Sequence, residues 1–86
     1  MKNFFSEMDG VTLTYSDIGV NRDGLEYIKI YFERPTEADF DYLETELPTQ
    51  IIKKSHGFSL AEQADLMDYL QKSAYLIWKV AGDKVA

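Results

Sequence analysis

The only histidine, His56, directly follows Ser55, which sets a hydroxyl beside an imidazole in the chain. Adjacency does not make a catalytic pair, because the base must be positioned in space and oriented by a third group. His56 therefore reads as a helix-end cation, with Lys53 and Lys54 near the same pole and Gly57 at the left-handed stop position. Asp39 and Asp41 could share acid–base work only in a cleft that drives their pKa values apart. With one histidine and no cysteine, a zinc site of the usual kind cannot be built. The stretch 17–24 lacks the acids of a calcium loop. The glycines at 10, 19, 24, 57 and 82 fit neither a phosphate-cradling loop nor a dinucleotide fingerprint. The residues thus point away from an enzyme and call for no metal or cofactor.

What stands out is a run of acid. Glu33, Glu37, Asp39, Asp41, Glu44 and Glu46 lie close together, with Phe40 and Tyr42 interleaved and Arg34 the only base. One reading is a solvated helix face. The other is a partner-binding surface formed by Glu37, Asp39, Asp41, Tyr42, Glu44 and Glu46. There the carboxylates imitate phosphates in the basic groove of a nucleic-acid-binding protein, and the tyrosine adds an anchor. In composition the chain resembles small acidic phage proteins that block host defence nucleases.

These side chains must be positioned by a small set of elements. Asn3 to Met8 suggests one helical turn, capped by Asn3 and stopped by Gly10. Val11, Leu13 and Tyr15 alternate with threonines, as in a half-buried strand. Asn21 and Gly24 fit the ends of a type I turn with a glycine bulge, leading into a second strand from Leu25 to Glu33. That strand sets Ile28, Ile30 and Phe32 on one face and Leu25, Tyr27 and Tyr31 on the other. After Pro35, Thr36 and Asp39 resemble a capping box, and Phe40, Leu43 and Leu47 have helical spacing, so 37–47 reads as a helix broken at Pro48. A third strand is the competing reading of that segment, since Phe40 and Tyr42 alternate with acids.

Ser59 with Glu62 forms a capping box at the start of the best helix, 60–81, which contains neither proline nor glycine and stops at Gly82. Its main apolar face gathers Leu60, Ala64, Met67, Leu70, Ala74, Ile77, Trp78 and Ala81. Tyr69, Leu76 and Val80 form a second stripe, which either packs under the 37–47 helix or the N-terminal segment or serves as a docking patch for another protein or for a second copy in a homodimer. The expected fold is α+β: an antiparallel β-hairpin or three-stranded sheet with helices on one face and a long C-terminal helix, as one compact domain over residues 1–86.

The segment Ile51-Ile52-Lys53-Lys54-Ser55-His56-Gly57-Phe58-Ser59-Leu60-Ala61-Glu62 resembles the part of MerR-type regulators where one helix ends in Gly-Phe-Ser-Leu and the next begins. The resemblance implies a DNA-binding regulator and covers about a dozen residues. The family's N-terminal helix-turn-helix and wing have no counterpart here. The net charge of -6 opposes direct binding to nucleic acid or anionic lipid, and the acid is concentrated early: residues 1–49 hold 11 acids against 4 bases. The short apolar runs suit neither a signal peptide nor a membrane span, and the lack of cysteine suits the cytoplasm. The expected role is a small acidic cytoplasmic interaction domain that acts by binding another macromolecule, as regulator or inhibitor.

Overall fold

A computed structural model describes residues 1–83. Six strands run β1 (Asn3–Met8), β2 (Val11–Tyr15), β3 (Gly19–Val20), β4 (Glu26–Pro35), β5 (Phe40–Leu47) and β6 (Lys54–His56), followed by one helix, α1 (Leu60–Asp83). The strands form one antiparallel sheet in the order β1-β2-β4-β5-β6, with β3 pairing the start of β4. Neighbours in this meander are also neighbours in sequence except β2 and β4, between which the chain makes the short strand β3. The fold is α+β with a long C-terminal helix, as the sequence indicates, but the sheet is larger than a hairpin and a single helix covers it. None of the described helical residues forms a span long and apolar enough to cross a membrane.

The hairpin of β3 and β4 follows its turn chemistry. Asn21 Oδ1 accepts hydrogen bonds from the backbone N–H groups of Asp23 and Leu25, and Gly24 takes a left-handed φ of 81°. The strand β4 buries Ile28, Ile30 and Phe32 on one face, as its alternation requires.

Three expected helical segments are strands instead. Asn3–Met8 is β1, where a bulge inserts Phe5 between Phe4 and Ser6 in the pairing with β2. The extra residue breaks the alternation and leaves a spacing that imitates a helical turn. Gly10 does not stop a helix: with Asp9 at φ 54° and Gly10 at φ 82° it makes the two-residue turn of a hairpin.

Residues 40–47 form β5 rather than a helix over 37–47, so the competing strand reading holds. Leu43 and Leu47 are four apart, a spacing that satisfies both the helical period and the strand period. Thr45 lies between them on the inner face, only 2% exposed, with its hydroxyl donating to the Ile51 carbonyl at 2.8 Å. At the preceding turn Thr36 Oγ1 accepts from the Asp39 N–H at 3.0 Å, as an N-cap does, but the Thr36 N–H donates to the Asp39 carbonyl at 2.8 Å and folds the chain back. Likewise Lys54–His56 is the edge strand β6 and not a helix end. Gly57 does adopt the left-handed conformation, φ 87°, at the passage from β6 to α1.

The capping box of α1 forms as read. Ser59 Oγ accepts from the Glu62 N–H at 3.1 Å, and Glu62 Oε1 accepts from the Ser59 N–H at 2.9 Å. Leu70, Ile77 and Ala81 are buried against the sheet, with Met67, Ala74 and Trp78 packed beside them. Leu60, assigned to that face, is 84% exposed because it lies in the first turn, before the helix reaches the core.

Candidate functional site

Because α1 covers one side of the sheet, the side chains on the other side face solvent, and the strand register fixes their order. One row runs Phe4, Thr14, Tyr31, Glu44 and Lys54 across β1, β2, β4, β5 and β6. The next runs Glu7, Thr12, Glu33, Tyr42 and His56. Tyrosines and glutamates therefore sit on opposite diagonals at the sheet centre. The Tyr42 and His56 rings stack at 5.6 Å with planes 23° apart, and Lys2 Nζ lies 4.2 Å over the Tyr31 ring. Tyr31, Phe40 and Tyr42 line a depression of about 400 Å³ flanked by Lys2 and Lys54. Phe4 and Phe40 remain 66% and 53% exposed. Thr14 Oγ1, under this face, is buried without a hydrogen-bond partner.

The acids of the run part company. Glu44 and Glu46 project from the outer face with Tyr42. Glu37 and Asp39 lie at the exposed tip of the β4–β5 hairpin. Asp41, one position out of phase, turns to the inner side, where its carboxylate accepts hydrogen bonds from Arg34 at 2.8 and 2.6 Å. Glu33 is paired with Lys2 at 3.4 Å and Glu46 with Lys53 at 3.3 Å, while Glu44 faces Lys54 in the ladder. The outer surface is one of interleaved, locally compensated charge.

Of the helix stripe, Tyr69 and Val80 are half-buried against the core, and the Tyr69 hydroxyl donates to Ser6 Oγ of β1 at 2.8 Å. Leu76 stands out at 53% exposure, beside Tyr75 at 77%.

Sequence reasoning missed a second locus on the inner side. A cleft of about 230 Å³ opens between the β1–β2 hairpin and the first half of α1, floored by Leu13, Phe32, Phe58 and Leu66. Arg34 forms one wall, its guanidinium 4.6 Å over the Phe58 ring and 2.7 Å from Glu62 as well as bonded to Asp41. Arg34, helped by the Ser59 N–H, holds the Glu62 carboxyl down at about 2, and the two carboxylates raise the pKa of Arg34 further. The signal was available in part: strand parity places Arg34 on the face of Phe32, and Glu62 was already fixed by its cap.

No family model, curated protein or solved structure matches this chain.

Ser55 and His56 are consecutive in β6 and so point to opposite faces of the sheet. The imidazole stacks on Tyr42, which leaves the pair no shared reaction centre.

Proposed function

We propose that this chain is a small acidic interaction domain of the cytoplasm that regulates or inhibits another protein by binding it, with no catalytic step of its own. The outer face of the sheet carries the reading. Four aromatic rings, Phe4, Tyr31, Phe40 and Tyr42, share a face that no element among the described residues covers, and two of them are held in place by Lys2 and His56. Aromatic anchors dominate protein interfaces, and side chains fixed before contact lose less freedom on binding. The surrounding charges, paired within the face, suit a rim that sets orientation and partner choice.

Imitation of nucleic acid against a host defence nuclease is the alternative, and its support is the exposed tip acids Glu37 and Asp39 together with Glu44 and Glu46. Protein docking is favoured over it because Asp41 turns to the other side and Glu33 and Glu46 carry lysine partners. Direct DNA binding has less support still, since Lys2, Lys53 and Lys72 are each engaged with a carboxylate. Self-association through α1 rests on Leu76 and is a separate matter, developed below.

The deciding measurement is co-purification from the cells in which the chain is native, comparing it with a Tyr31→Ser, Tyr42→Ser double variant. The expected result is a protein partner lost with the variant and retained from about 50 mM to about 500 mM salt. A complex that dissolves steeply over that range and is displaced by DNA supports the mimic instead. A partner held equally by the double variant rules out the outer face.

A further inference from the structure

The inner face of the sheet is wider than its one helix. Five strands side by side span roughly 19 Å at about 4.8 Å each, whereas a helix is about 10 Å across. The uncovered part is the cleft beside β1 and β2, whose apolar floor resembles core surface left without its second layer. Its volume of about 230 Å³ admits one aliphatic or aromatic side chain, since a benzene ring needs a cavity of only about 150 Å³. At its mouth stand Asp9, Glu62 and Asp65, and Arg34 is already shared between Asp41 and Glu62.

The matching group lies farther along the same helix. Leu76 is exposed and stands one turn from Lys72 on one side and from Lys79 on the other. Helical phase places Glu62, Asp65, Tyr69, Leu76 and Val80 on one flank, with Lys79 and Lys72, the latter paired with Asp68 at 2.9 Å, along its outer margin. An apolar knob between two cations thus shares a flank with an apolar hollow rimmed by acids.

We propose that a second copy of this chain completes the cleft: the two α1 helices lie antiparallel, and Leu76 of each seats in the hollow of the other. Setting Leu76 opposite Asp65 and Leu66 places Lys79 opposite Glu62 and Lys72 opposite Tyr69. Lys79 then meets Glu62 with opposite sign, Lys72 and Lys79 flank Asp65, and two-fold symmetry makes every contact twice. A parallel arrangement sets Asp65 against Asp65 and Lys79 against Lys79, which opposes it. This goes beyond the outer-face reading, and the two fail separately, because the tyrosine face lies across the sheet and is left free by the dimer.

Sedimentation velocity of the full chain from about 1 µM to about 500 µM is the test. The wild-type chain is expected to pass from monomer to dimer over that range, at a midpoint that rises with salt. Leu76→Asp weakens the dimer by about tenfold or more while helical circular dichroism and the unfolding midpoint stay in place. Asp65→Lys, at an exposed position, does the same by repelling the opposing lysines, and adding Lys72→Asp and Lys79→Asp restores association. If Leu76→Asp does not fold, the Asp65→Lys set decides alone. A wild-type chain that stays monomeric throughout overturns the proposal, as does a dimer indifferent to Asp65→Lys. The Tyr31→Ser, Tyr42→Ser variant is expected to dimerise normally.

Discussion

Asp41 lies against Gly57 where β5 and the end of β6 run side by side, and its carboxylate occupies the space that any side chain at position 57 would need. The same carboxylate is held by Arg34, which also grips Glu62 on α1. Gly57 therefore does more than turn the chain into the helix. It lets the carboxylate approach closely enough to tie the sheet, the β6–α1 junction and the helix N-terminus together.

Replacing Gly57 by alanine should accordingly cost more than left-handed strain alone. Gly10 offers the comparison, because it has φ 82° but open space around it. Gly10→Ala is expected to lose about 1–2 kcal/mol from the left-handed conformation. Gly57→Ala should lose that and, in addition, part of the Asp41–Arg34 contact. Urea denaturation of the two variants measures the difference, and equal losses would show that the Asp41 approach is unimportant.

The Arg34–Glu62 pair sets an acid limit. The Glu62 carboxyl is depressed to about 2 from its ordinary value of 4.5. The folded state thus holds the ionised form more strongly than the unfolded chain does. That stability is fully present above the unfolded pKa and is lost as pH falls towards about 2. The unfolding midpoint should fall between those two values, and Glu62→Gln should flatten this part of the profile while lowering the plateau above it.

Thr14 holds a buried hydroxyl with no partner. Thr14→Val keeps the shape and the β-branch while removing the unsatisfied group. An increase in stability of up to about 1 kcal/mol is expected in thermal or urea unfolding, whereas a loss would mean that the hydroxyl is hydrated in solution.

Two leucine-class positions on α1 should separate sharply. Ile77 is fully buried, and Ile77→Ala is expected to cost about 2–5 kcal/mol through lost contacts and the cavity left behind. Leu60 is 84% exposed, and Leu60→Ala should stay within about 0.5 kcal/mol of wild type.

The parts of this fold legible in the residues are those where one signal acts alone. The Asn21–Gly24 turn, the inner face of β4 and the Ser59–Glu62 cap each follow from local chemistry that nothing else contests. The first half was harder because two periods coincide there. Leu43 and Leu47 suit a helix and a strand equally, and Thr36 makes the same first hydrogen bond in either case. At β1 the bulge at Phe5 hides the alternation altogether. The acid run looks like a cluster in the sequence, but proximity along the chain is not proximity in space: strand pleating sends Asp41 away from Glu44 and Glu46. The Arg34 cleft escaped notice because its walls come from β1, β2, β4 and α1, and only the pairing register brings them together.

The bulge at Phe5 bends one border of the sheet, and the three-residue length of β6, which starts at Lys54 and follows Lys53, leaves little at the other for a stranger's backbone to grip. Growth by end-to-end strand addition is thereby discouraged at both margins. Contact with other molecules is turned from backbone pairing towards side chains, where shape and charge can select the partner.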